Sequence, residues 1–196
     1  MFFHLFLQAA ISNGCTSVLS DDDLTLTLTC PRDEITKPDS YSKKIKKLII
    51  YAGANSYVVD SAFEGFGSSA LETVQLPEGL KQLDSYAFYE NPNLKTINLP
   101  STLAVIGVAV FTRCALTKVT LPNSLERIED AAFKETPIES INFNVQQLTS
   151  VGWAAFQDCV NLKTVTLKGI EFGVECFMGC YELQTITGLE LITSIP

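Results

Sequence analysis

The chain has 196 residues, 46% apolar and 18% charged, which excludes a disordered polyelectrolyte and indicates an ordered, core-forming protein. The formal net charge of −8 is unevenly spread: residues 1–47 carry six acidic and six basic side chains, and the remainder carries 16 acidic against eight basic. An acidic body repels phosphate backbones, so the charge argues against a nucleic-acid partner.

Residues 1–10 form a short apolar run ending in small residues at Ala10 and Ser12, with no Lys or Arg ahead of it. Two readings stand for residues 1–12: a secretory signal peptide, or an N-terminal strand or helix docking on the end of the fold. No other stretch approaches the roughly 18–20 apolar residues that a membrane-spanning helix needs. Residues 13–44 follow as a cap. Within it Leu24 to Cys30 alternates Leu and Thr, the pattern of a half-buried strand, and residues 31–42 form a loop. Lys43, Lys44, Lys46 and Lys47 bracket Ile45; they fit a solvated strand face that discourages edge pairing, or a small patch for an acidic partner.

From residue 45 onward the sequence repeats. Leu71, Leu94 and Leu116 each open a copy whose Phe (Phe88, Phe111, Phe133) falls 17 residues later. Ile45 to Phe63 is a weaker copy, Ile138 to Phe156 has one residue inserted, and Leu162 to Phe177 has two removed. A fixed period of this length means a solenoid, in which one unit buries its flanks only by stacking on its neighbours. Within one copy, Val119 and Leu121 alternate with Lys118 and Thr120 as a strand, and Pro122 ends it, as Pro77 and Pro100 do in theirs. Leu125 and Ile128 line the far side. Ala132 and Phe133 then close the coil, expected as a short helical or 3₁₀ turn. Residues 45–196 hold six such copies and a partial seventh that begins at Leu183.

The spacing L-x-x-V-x-L-P-x-x-L-x-x-I-x-x-x-A-F-x-x-C resembles the BspA-type leucine-rich repeat. That resemblance implies a repeat solenoid, a right-handed leucine-rich-repeat superhelix. Each repeat of roughly 22–24 residues supplies one concave-face strand, a short second strand and a 3₁₀ or helical turn. Asn144, Lys168 and Gly188 stand where proline is usual and are expected to loosen the geometry locally.

The register also accounts for four of the six cysteines. Cys114, Cys159 and Cys180 lie three residues after a repeat Phe, where other copies have Phe66, Asn91 and Thr136. Cys176 takes the slot of Ala62, Ala87, Val110, Ala132 and Ala155. All four are expected as free, compact core residues. Cys15 and Cys30 lie outside the register and can pair in the cap if the leader is removed ahead of Cys15. The only histidine is His4, inside the leader, so the repeats carry no Ser-His or Cys-His pair and no imidazole ligand. Neither a catalytic centre nor a metal or other cofactor is expected.

The outward strand positions can be read as two columns. The first is Thr73, Thr96, Lys118, Ser140 and Thr164, continued by Thr185; the second is Gln75, Asn98, Thr120, Asn142 and Thr166, continued by Thr187. Together they make a neutral hydroxyl and amide face, which serves equally as good strand-forming material and as a binding surface. Trp153 stands where other copies carry Asp60, Ser85, Val108, Asp130 and Val174. It is either an exposed aromatic anchor or a filler for the inserted residue.

Proteins of the resembled family are typically adhesion or interaction proteins of bacteria and protozoa on mucosal surfaces. The resemblance therefore implies a non-enzymatic, secreted or surface-displayed module that recognises proteins or glycoproteins, host matrix among them. The alternative is an intracellular interaction scaffold with a structural N-terminus, which the free cysteines and the lack of an Asn-x-Ser/Thr sequon also fit. Leu183, Ile186, Leu189 and Ile195 open the seventh coil without an Ala-Phe closure. That end is expected to be covered by further repeats or by end-to-end self-association.

Overall fold

The computed structural model describes residues 9–10, 14–22, 24–38, 43–65 and 70–191. Each repeat forms one coil, and coils stack through parallel pairing, so strand follows strand in sequence order. The concave sheet runs from the cap through Lys47–Ala52 and Thr73–Gln75 to Thr96–Asn98. It resumes with Ser140–Asn142, Thr164–Thr166 and Thr185–Thr187. A second sheet of seven short parallel strands, from Glu34–Ile35 to Glu171–Phe172, lines the other side without a break. Val74, Ile141 and Val165 point into the core between these sheets while their strand neighbours face out, as a period of two requires.

The cap is built as the Leu-Thr alternation implies. Thr16–Leu19 pairs antiparallel with Thr25–Cys30, which in turn pairs parallel with all of Lys47–Ala52. Leu26 and Leu28 are buried, and Thr29 faces solvent. This register places Cys15 beside Cys30, and the two form a disulfide across a sequence separation of 15. Of the segment 1–12, only Ala9 and Ala10 lie within the described residues. They pair antiparallel with Ser17 and Thr16.

The closing turn differs from the expected 3₁₀ or α turn. Among the described residues the only helix is the 3₁₀ turn Leu189–Leu191. Instead, two residues flanking each Phe take positive φ, such as Ala131 (53°) and Glu135 (55°) around Phe133. Flipping alternate peptides in this way sends every second N–H along the solenoid axis. Ala131, Phe133 and Glu135 donate to the carbonyls of Trp153, Ala155 and Gln157 in the next coil at 2.8, 2.8 and 2.9 Å. The intervening Lys134 N–H turns back to Ala131. The same three-bond pattern links each coil from Phe63 to Phe156 to its successor, so the turns form a third parallel ladder.

Inside this ladder the Phe rings stack. Neighbouring centroids from Phe63 through Phe88, Phe111, Phe133 and Phe156 to Phe177 lie 5.1–6.1 Å apart. The residue three positions after Phe is a hydrogen-bond donor rather than merely a compact hydrophobe. Cys114, Cys159 and Cys180 direct their thiols at the carbonyls of Phe88, Phe133 and Phe156, each at 3.2 Å. Asn91 reaches Phe63 and Phe88 through its side-chain amide, and Thr136 donates to Phe133. What Asn, Thr and Cys share in this slot is a donor that satisfies a buried carbonyl. Phe66, the corresponding residue of the first coil, lies outside the described residues.

One expected strand does not form. Residues 117–120 make a single bridge, Lys118 to Ser140, and among the described residues no backbone hydrogen bond joins them to 95–98. The seam coincides with a change of connector length, four residues at 112–115 against five at 89–93. The change from four at 134–137 to five at 157–161 nevertheless leaves Ser140–Asn142 fully paired with Thr164–Thr166, so connector length does not by itself open a seam. Ile97, Leu99 and Val119 beside the seam are only partly buried.

Elsewhere the departures from proline are compensated rather than loosened. The Lys168 ammonium donates to the carbonyls of Val145, Gln146 and Leu148 at 2.6, 3.0 and 3.2 Å. Asn142 accepts the Asn144 N–H at 2.8 Å, and Gly188 takes φ 79° where a Cβ would sit 2.4 Å from the Leu167 carbonyl oxygen. Because Phe133 is fully buried between two stacked rings, Phe133→Ala is expected to cost about 3–5 kcal/mol in urea unfolding. Thr120→Ala, on an exposed position, is expected to cost less than about 0.5 kcal/mol. Equal costs would contradict this core.

Candidate binding face

The concave face carries the two sequence-defined columns in the expected register. Thr73 lies beside Thr96 and Gln75 beside Asn98; Ser140, Thr164 and Thr185 follow one another, as do Asn142, Thr166 and Thr187. The seam divides each column, with Lys118 and Thr120 on the far side from Thr96 and Asn98. The residues are not equivalent. The Asn98 amide both accepts from the Leu76 N–H (3.0 Å) and donates to the Leu76 carbonyl (3.3 Å), which extends the ladder by one side chain. Asn142 is spent on Asn144, and the Thr187 hydroxyl donates to Thr166 at 3.2 Å. By contrast Thr73, Gln75, Thr96, Lys118, Thr120, Ser140 and Thr164 make no side-chain hydrogen bond among the described residues. All but the half-buried Thr73 are exposed.

The face also holds residues that the column reading missed. Thr27 and Ile49 share a row with Gln75 and Asn98, and Tyr51 stands beside Thr29 with 53% of its surface exposed. These come from the cap and the weakest repeat copy, where the motif gives little register; the alternation of Lys47–Ala52 was the available signal. Two of the four lysines near Ile45 take different places. Lys46 pairs with Glu72 at 3.0 Å, and Lys47 stands between Thr25 and Thr73 in the row that continues to Thr96. Trp153 is on neither sheet row. It lies at the start of a closing turn, 48% exposed, with its N–H held by Asp130 at 2.7 Å.

Among the described residues, no cluster of three or more His, Cys, Asp or Glu side chains is arranged to hold a metal ion. No described helix is long and apolar enough to cross a membrane.

The family described as BspA type leucine-rich repeat region matches residues 37–147 and 81–196, in six copies. The chain belongs to the BspA-type leucine-rich-repeat family. Its fold is similar to that of a leucine-rich repeat protein from Bacteroides ovatus, at 22% identity and a TM-score of 0.67, covering 88% of this chain and 45% of that one. This chain thus spans less than half the length of that relative. It is also similar to the leucine-rich repeat protein of T. pallidum, at 25% identity and a TM-score of 0.67, covering 85% of this chain and 86% of that one. No curated protein matches the chain. A BspA-type solenoid is a scaffold for protein interaction, and its chemistry lies in the surfaces that its coils present.

The buried thiols of this BspA-type chain are inert for a physical reason. Burial pushes Cys159 up to about 11 and Cys114, Cys176 and Cys180 up to about 12, so none is a thiolate near neutral pH. Cys180 alone is half-buried. In the native protein a maleimide is expected to leave Cys114, Cys159 and Cys176 unlabelled at pH 8 and to modify Cys180 first. All four should react after denaturation, and mass spectrometry that finds Cys114 labelled ahead of Cys180 would overturn the assignment.

Proposed function

We propose that this BspA-type chain is a non-enzymatic binding module, secreted or displayed at a surface, whose concave face contacts a protein or glycoprotein. The observation that carries this reading is the row of exposed hydroxyl, amide and ammonium groups with no side-chain hydrogen bond among the described residues, next to Tyr51. Unspent donors and acceptors on a rigid sheet suit a polar ligand, because little side-chain entropy is lost when they engage. Tyr51 adds an aromatic contact of the kind enriched at binding hot spots. The Cys15–Cys30 bridge favours export over a cytosolic scaffold, since reducing compartments keep thiols reduced, and residues 1–12 fit the leader that export needs. The last described coil, with Ile186 and Leu189 exposed, also fits end-to-end stacking on a second copy of this chain.

A layer of reconstituted basement-membrane glycoproteins provides the test. The wild-type chain is expected to be retained. A Thr96→Arg, Thr164→Arg double variant with an unchanged unfolding midpoint is expected to bind about tenfold more weakly or worse. Wild-type binding by that variant would remove the concave face as the contact, and no retention of either protein would reject the matrix-binding reading.

A further inference from the structure

The second-sheet side bears a trough that belongs to neither concave column. It follows from three successive coils in sequence register. The coils on either side place Gln82, Asp84 and Ser85, or Arg127 and Glu129, where the middle coil places Val105, Gly107 and Val108. Polar walls therefore enclose a short apolar floor, and the space between them is about 320 Å³. Strands in a sheet are about 4.8 Å apart, so the walls stand about 10 Å apart, the width of one extended chain. Gly107 is fixed by the packing beneath it, because a Cβ there would lie 2.7 Å from the Leu83 carbonyl oxygen.

We propose that this trough receives a cationic side chain, an arginine or lysine, from an extended segment of a partner protein. Each wall presents a carboxylate at the same register, Asp84 on one side of Gly107 and Glu129 on the other, and Asp60 adds a third at the rim. Arg127 is the only cation in the lining and is already committed to Glu129 at 3.0 Å and Glu126 at 4.0 Å. Asp84 accepts from Gln82 and forms no ion pair among the described residues. An aliphatic stem covers Val105 and Val108 while its charged head lies between the two walls. A purely apolar ligand would leave the Asp84 carboxylate desolvated with no counter-charge. Among the described residues the trough carboxylates form no cluster arranged to hold a metal ion. The inference rests on the chain being a binding module but uses the opposite face, so the two stand or fall separately.

The test uses ¹⁵N-labelled full-length protein and a blocked Val-Arg-Val-Arg-Val peptide, with the citrulline analogue as its neutral isostere. The arginine peptide is expected to shift the amides of 82–85, 105–108 and 127–129, and to weaken as salt is raised. The citrulline peptide, and the arginine peptide on an Asp84→Asn, Glu129→Gln variant, are each expected to bind about tenfold more weakly or worse. The Thr96→Arg, Thr164→Arg variant should bind as the wild type does. No shift in the trough, equal binding of the citrulline peptide, or unchanged binding by the carboxylate variant overturns the proposal.

Discussion

The ladder of closing turns is the constraint on which the other elements depend. At each junction from the Phe63 coil to the Phe177 coil it supplies three backbone hydrogen bonds and a stacked Phe pair. Both concave and second-sheet strands are attached to it by connectors of only a few residues. The geometry has a local cost, because non-glycine residues such as Tyr86, Ala109, Ala131 and Ala154 are held at positive φ, at about 1–2 kcal/mol each. Repetition offsets it. From the Phe63 coil to the Phe156 coil every flipped peptide gains a partner in the next coil, and the buried Phe carbonyls gain donors from Asn91, Cys114, Thr136, Cys159 and Cys180.

The seam shows which ladder is dispensable. Between Thr96–Asn98 and residues 117–120 the concave sheet lacks its backbone bonds, yet the stack continues. There Val105–Ile106 still pairs with Arg127–Ile128, and Ala109, Phe111 and Arg113 still donate to Asp130, Ala132 and Lys134. On the outer edge, Arg113 spans the same junction through Glu135 at 3.0 Å and the preceding junction through Glu90 at 2.7 Å. Such exposed pairs contribute little individually; their position shows the coils in close register outside while they part inside. The concave face is interrupted between Asn98 and Thr120, whereas the trough over Gly107 lies on the unbroken sheet.

The features legible in the sequence were those written in side-chain spacing. The Leu, Val and Ile positions, the stacked Phe, the strand-ending prolines and the outward Thr columns all follow from counting residues. The turn ladder was not legible, because backbone amides carry it. Ala, Tyr, Glu and Arg at its positive-φ sites give no signal; only Gly65 and Gly179, in the slot of Glu90, Arg113, Glu135 and Asp158, hinted at it. The donor role of the cysteine slot was present in the Asn, Thr and Cys that share it, once hydrogen bonding is weighed beside volume. The seam left no signal in the spacing, since the same four-to-five change of connector length between 134–137 and 157–161 accompanies full pairing of Ser140–Asn142 with Thr164–Thr166. Tyr51 and the trough were harder to see: one lies in the weakest repeat copy, and the other appears only when three coils are compared side by side.

Amide hydrogen exchange tests the primacy of the turn ladder most directly. The account predicts strong protection at Ala109, Phe111 and Arg113, whose N–H groups bridge the junction, and fast exchange at Lys118 and Thr120 on the concave side of that same junction. Protection at Lys118 and Thr120 equal to that at Thr164 and Thr166, or rapid exchange at Phe111, would contradict it.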